Sequence, residues 1–383
     1  MTLRQIKRLP VPGWRWGVVV GAVALLGCLP ALASALPVSV PDIPAAQLEQ
    51  RILSSQTMSF AGYAESDATF GLPPLTAFSS VTPLLDGVTR MRVWQASPSH
   101  WRVDTLSDAG EDDTYQVGPE EYTWDSGEQL LTAILGAQPV RLPRAADLVP
   151  SALAVRIIQE AGPDARLSLL PPQRVAGQSA AGLAITPANP ESTIGRVDIW
   201  AAPGTGLPLQ VDVFGHGSAQ PALETQFLEV GAWQPDQSVL SPQRGRGTGF
   251  TSSAPGNLSA GLNTLDDEAL PASLAGLARQ PSPSEFGAVG VYGGGLQDFA
   301  VLTFRRGTGL QLLQAALSDG ATTLKNSHGF GAVASAPLVN LVLMRSFVSH
   351  DTYLLVGLVS KDALEQAALT LAAKPDQDHD HNP

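Results

Sequence analysis

The sequence predicts an α+β protein, a curved antiparallel sheet with one apolar face covered by helices, followed by a smaller α+β domain. Three observations predict it. From Thr89 to Leu131 the chain alternates with a period of two: Met91 and Val93 against Arg90, Arg92 and Trp94, then Trp101, Val103 and Thr105 against His100, Arg102 and Asp104. That period gives each strand one buried and one wetter face. Turn chemistry divides the runs at Pro98, between Ser107 and Asp113, at Gly118-Pro119 and at Asp125-Ser126-Gly127, which makes an antiparallel meander. Finally, 37 glycines and 31 prolines with only 15% charged residues describe many turns rather than long helices.

In chain order, residues 1–41 read as an export signal or anchor. Arg4, Lys7, Arg8 and Arg15 are followed by a stretch from Trp16 to Pro41 without charge. Three outcomes stand open: an uncleaved helix anchored by Trp14 and Trp16, cleavage after Ala31-Leu32-Ala33, or lipidation at Cys28 in Leu25-Leu26-Gly27-Cys28. All three place the remainder outside the cytoplasm, held to the membrane by a helix or a lipid, or released. Cys28 is the only cysteine, so the folded part has no disulfide and no thiol chemistry. A net charge of -12, more negative still once the basic start is set aside, argues against a nucleic-acid partner.

A first domain is expected over residues 42–236. Asp42-Ile43-Pro44 starts a helix in which Ala45, Leu48 and Ile52 share a face. Met58 to Phe70 is a strand, and Leu72 to Gly87 a Pro-rich loop before the meander. After an irregular Leu135 to Pro150, a second helix is signalled by Ser151 as cap, Leu153, Ile157 and Ala161 on one face, and Gly162-Pro163 as the stop. Strands resume at Arg166 to Leu170, Gly182 to Thr186, Gly195 to Ala201, Leu207 to Phe214 and Ala222 to Val230.

Residues 237–258 read as a linker, because Ser241 to Asn257 is rich in Gly, Ser and Pro and lacks periodicity. The smaller domain, residues 259–373, carries strands at Gly287 to Tyr292 and Phe299 to Phe304 and a helix through Leu310, Leu313 and Leu317. A hairpin turns at Ser349-His350-Asp351, and a closing helix is capped by Asp362 and Glu365. Residues 374–383 form a solvated tail.

Chemistry is scarce. No histidine pair has metalloprotease spacing, Gly215-His216-Gly217-Ser218 is not a nucleophile elbow, and the acidic runs Glu111-Asp112-Asp113 and Glu120-Glu121 fall at turns. No cofactor, metal or catalytic residue is expected. The aromatic residues Trp101, Tyr115, Tyr122 and Trp124 recur on successive strands, and with Val93, Val103 and Val117 they are expected to form one apolar surface.

The pattern AAQLEQRILSSQTMSFAGYAE, the mid-sheet run DDTYQVGPEEYTWDSG and the later stretch LVNLVLMRSFVSHDTYLLVGLVSKDALEQAA resemble the LolA/RseB superfamily of lipoprotein carriers and envelope-stress sensors. They are most similar to the predicted exported LolA-like proteins of high-GC Gram-positive bacteria. The resemblance implies an incomplete β-barrel, a half-barrel covered by helices, whose apolar cavity binds a lipid or the acyl chain of a lipoprotein. The cavity would be lined by Val93, Trp101, Val103, Tyr115, Val117, Tyr122 and Trp124. It implies no catalysis, and as the alternative a sensor or adaptor contacting a membrane protein partner.

Overall fold

The computed structural model describes residues 38–71, 82–108, 110–135, 143–243, 248–253, 270–281, 289–304 and 306–374. The export segment with Cys28, most of the Pro-rich loop and the tail lie outside the described residues. Among the described residues no helix is long and apolar enough to cross a membrane.

The chain from Val40 onward forms one compact unit. Its first helix, α1 (Ala45–Ser54), buries Leu48 and Ile52, four residues apart on one stripe. Strands β1 (Phe60–Thr69), β2 (Asp86–Ser97), β3 (His100–Ser107), β4 (Gly110–Val117), β5 (Glu120–Asp125) and β6 (Leu130–Ile134) follow as the expected meander. The loop before β2 ends in a helical turn, Thr82–Leu85. Helix α2 (Pro150–Ala161) begins two residues earlier than the sequence suggests. Pro150 takes the first helical position, where its missing N–H costs nothing, and Val149 rather than Ser151 is the cap. Gly162, at φ 72°, ends the helix as expected.

Strands β7 (Arg166–Val175), β8 (Gln178–Thr186), β9 (Ile194–Ala201), β10 (Pro208–Gly215) and β11 (Leu223–Gly231) make a second meander. β7 and β8 run longer than predicted. The sheet tolerates Pro171-Pro172 because β7 is an edge strand and its register shifts there. Ala176 and Gly177, at φ 49° and 73°, then close the extended hairpin.

The two meanders join into one twelve-stranded sheet because β11 returns to pair antiparallel with β1. Within the stretch read as a linker, residues 244–247 and 254–258 lie outside the described residues. Gln237–Leu240 forms a turn that packs on β2 and β3, and Gly249–Ser253 is β12, paired parallel with β6 at the far edge.

The later part is built on a six-stranded sheet, β15 (Val289–Tyr292), β16 (Phe299–Phe304), β20 (Thr352–Gly357), β19 (Asn340–Ser346), β18 (Gly329–Ser335) and β17 (Thr322–Lys325) in spatial order. Ahead of it sits a small hairpin, β13 (Ser273–Leu274) with β14 (Leu277–Ala278). Helix α3 (Arg306–Ser318) covers one face through Leu313 and Ala316, while Leu310 is 39% exposed. Helix α4 (Lys361–Ala372) covers the other through Leu364, Ala368 and Leu371. Its cap is Ser360, whose Oγ accepts from the Ala363 N–H at 3.2 Å, so Asp362 and Glu365 are not the capping pair.

This second sheet is fixed to the end of the first. Ser192 bridges to Val359, the Thr193 N–H donates to the Leu358 carbonyl at 3.0 Å, and Thr193 Oγ1 donates to the Leu338 carbonyl at 2.5 Å. Leu296 and Leu338 join the core of the large sheet, so the two parts share apolar packing as well as hydrogen bonds.

Candidate functional site

Pairing register decides which side chains share a face, since cross-strand partners point the same way. One face of the large sheet looks toward the helices. Phe60, Ala64, Met91, Val93, Val103, Leu183, Val197, Ile199, Leu209, Val211 and Phe227 pack there with Leu48 and Ile52 of α1 and with Ile157 and Ile158 of α2. Helix packing is uneven. α1 lies on β7 and β8, α2 on β10 and β11, and the short turn Ala145–Leu148 on β3.

Trp101 sits at that boundary. It is partly buried against the core, on the same face as Val93 and Val103. Beyond it the same face changes character. Val103 pairs with Thr114, Thr114 with Thr123, Thr123 with Thr132 and Thr132 with Thr251, a row of threonines flanked by Gln116 and Glu121. Arg144 reaches over this part of the face to pair with Glu121.

The expected single surface is therefore split. Val93, Trp101 and Val103 share the helix side, whereas Tyr115, Val117, Tyr122 and Trp124 lie on the outer side with Trp94, Leu131 and Ala133. The cause is the tight connection between the paired residues Ser107 and Gly110, which puts Thr114 rather than Tyr115 opposite Val103.

The outer side holds a charged cluster in which Glu111 and Asp113, expected at a turn, lie within β4 beside Arg102 and Asp104 of β3. Arg102 Nη2 donates to Asp104 Oδ2 at 3.0 Å, to Glu111 Oε1 at 3.2 Å and to Asp113 Oδ2 at 2.9 Å, and Tyr115 Oη donates to the same Asp113 oxygen at 2.9 Å. Arg92 pairs with Glu111 and lies 3.5 Å from Asp104. Both guanidinium groups also face the Trp94 ring, at 5.8 Å for Arg92 and 5.3 Å for Arg102.

Burial pushes the Asp104 carboxyl up to about 7, with Asp113 and Glu111 adding to the rise and Arg102 opposing it. Burial raises Asp113 too, and it raises the Tyr115 hydroxyl, next to the negative Asp113. Burial alone would lower Arg102, but Asp104 and Asp113 outweigh it and its charge is held more firmly. The carboxylates of Asp104, Glu111 and Asp113 lie close enough to hold a cation. The Arg102 guanidinium already supplies that positive charge, so the cluster reads as an internal clamp across β2, β3 and β4. The signal in sequence was opposite charges at two-residue spacing on neighbouring strands.

A second acidic feature crosses the other half of the outer side. Asp67 pairs with Glu224, Glu224 with Asp212 and Asp212 with Asp198. Asp198 and Asp212 are buried, and burial pushes Asp212 up to about 7, reinforced by Glu224 and Asp198.

No protein-family model matches the sequence, and no curated protein sequence matches it. Solved structures do. The chain is similar to the Pseudomonas aeruginosa MucB of a MucA/MucB complex, at 18% identity and a TM-score of 0.48 over 85% of this chain and 96% of that one. It is also similar to the LolA superfamily protein NE2245 from Nitrosomonas europaea, at 12% identity and a TM-score of 0.25 over 52% and 99% of the two chains. A third is a lipoprotein-sorting protein domain from Vibrio parahaemolyticus, at 10% identity and a TM-score of 0.24 over 49% and 91%.

Proposed function

We propose that this chain is a non-catalytic, extracytoplasmic binding protein. It takes a hydrophobic chain, the acyl group of a lipid or lipoprotein, on the helix side of an incomplete half-barrel. The observation that carries this reading is the position of Trp101. It is a large apolar side chain beside buried Val93 and Val103, at the point where the cover by helices α1 and α2 gives way to the half-buried, threonine-lined strands β4 to β6. An acyl chain laid there gains about 0.8 kcal/mol per buried methylene without any cofactor. The basic start followed by the uncharged stretch from Trp16 to Pro41 supports export.

The test is native mass spectrometry with lipid extraction on Leu36–Pro383 purified from a bacterial host. A stoichiometric lipid is expected, with occupancy reduced about tenfold by Trp101→Ala and unchanged by Trp124→Ala, because Trp124 is on the other side of the sheet. A lipid-free mass that persists after incubation with lipids and acylated peptides sinks the reading.

A second reading, a sensor or adaptor for a membrane protein partner, is favoured by Phe347 and Val348. They are 48% and 44% exposed at the turn between β19 and β20. Loss of partner capture by Phe347→Ser with lipid occupancy intact would select it.

A further inference from the structure

Resting on the acyl-binding reading above, we infer that the helix side of strands β4 and β5 is a head-group subsite, and that the lipid it selects is zwitterionic, with a phosphate for Arg144 and an ammonium for Glu121. The tail lies beside Trp101 and the head beyond it.

Trp101 pairs with Gln116 and Gln116 with Glu121, so the three share the helix side in one row across β3, β4 and β5. The neighbouring row on the same side is Thr114, Thr123 and Thr132, each half-buried. Arg144 reaches the end of the first row from the residue just before the turn Ala145–Leu148, and that turn is seated in the helix-side core through Ala145, Ala146 and Leu148. The Arg144 N–H donates to Asp147 Oδ2 at 2.9 Å, which fixes the base of the side chain. Arg144 Nη1 and Glu121 Oε1 form an ion pair whose side chains are only 20% and 14% exposed.

A face made only to hold hydrocarbon gains nothing from a desolvated ion pair. Withdrawing two charges from water is costly unless their remaining donors and acceptors find partners. Here one does not: Arg144 Nε is buried with no hydrogen-bond partner. A phosphate suits it, because its oxygens accept from a guanidinium two donors at a time. Glu121 decides what else the head carries. A purely anionic head would bring its charge against that carboxylate, whereas a head with its own ammonium meets each protein charge with the opposite one. An acylated peptide N-terminus offers at most the ammonium, which leaves Arg144 unanswered. Glu121 lies two strands from Trp101, about 10 Å, so a head held there lets the acyl chain run back to Trp101, Val93 and Val103.

The test offers the full chain, held in detergent micelles, equal amounts of dioleoyl phosphatidylethanolamine, phosphatidylglycerol and phosphatidylcholine, and reads the bound lipid by native mass spectrometry. Phosphatidylethanolamine is expected to exceed phosphatidylglycerol about tenfold, with phosphatidylcholine between them, since its quaternary ammonium has no hydrogen to donate to Glu121. Glu121→Gln should erase that preference. Arg144→Gln should erase the preference for phospholipid over added dioleoylglycerol, which lacks the phosphate. Each change leaves one charge unpaired and can unfold the chain, so the Glu121→Gln/Arg144→Gln chain, which strands neither, is measured beside them and should show neither preference. If the double variant keeps the preferences of the parent, the head lies elsewhere and the subsite falls. Equal uptake of all three lipids by the parent also overturns it, with acyl binding intact. A parent that takes up no lipid sinks the acyl-binding reading and the subsite with it. A diacylated lipopeptide that outcompetes phosphatidylethanolamine assigns the site to lipoproteins and overturns the phospholipid.

Discussion

Strands β8 to β10 and strands β4 to β6 lie on opposite sides of the central β1–β11 pair, yet they are built on different physics. In the first group the burial is nearly continuous: all of Ala180 to Ile185, the pair Val197 and Ile199, and β10 apart from Gln210. In the second, β5 buries no residue fully, β4 buries only Asp113 and Tyr115, and β6 buries Leu131 and Ala133. Helices α1 and α2 press on the first group and not comparably on the second. One side is shut by packing. The other has less helical cover among the described residues and is held by the Arg102 clamp and by backbone pairing.

Three substitutions break or sharpen this contrast. Ile199, with no exposed surface in β9, should show the largest effect: Ile199→Ala is expected to cost about 4 kcal/mol in urea unfolding, because no neighbour can refill the space. A loss under about 1 kcal/mol would mean that the packed side is looser than its burial implies.

Arg102→Ala comes next, at about 3 kcal/mol, since it takes the cation from Asp113 and leaves Asp104 only the more distant Arg92, at 3.5 Å. If the less covered side relied on apolar packing instead, the same change would be nearly neutral.

The smallest effect is pH-dependent. Asp212 and Asp104 both sit near 7 in the folded chain, above the usual carboxylate value, so the fold holds protons that the unfolded chain releases. Their contribution is complete below about pH 4 and is lost as pH rises through about 7. Asp212→Asn is therefore expected to raise the urea midpoint at pH 8 and to change it little at pH 5. Equal midpoint shifts at both pH values would show that Asp212 does not titrate in this range.

Much of this arrangement was legible in the residues, and the exceptions have a common cause. Leu48 with Ile52 gave α1, and the alternation around Met91, Val93 and Val103 gave the sheet and its buried face, because apolar spacing and burial agree there. In DDTYQV and EEYTWD they disagree. The aromatic residues point outward over the clamp, and threonines take the helix side. Hydrophobicity alone assigns those strands backwards, and only the parity of the turn at Ser107 and Gly110 corrects it. β12 was illegible for a different reason: GFTSS has a single large apolar residue and so no alternation to read, and it joins the sheet by parallel pairing with the distant β6. The cap of α4 was displaced by two residues because Asp362 and Glu365 imitate a capping box that Ser360 supplies.

The β1–β11 pair brings residues 60–69 against residues 223–231, so the middle of the sheet is made from the two ends of the domain's sequence. A chain emerging N-terminus first can form β1 and the meander to β6 early. The other edge of β1 then stays unpaired until more than 150 residues have followed. Such high contact order makes for slow folding and an adhesive intermediate. While it is bare, that edge can add a strand from another chain, so a holding chaperone would act on this protein before β11 is made and not after.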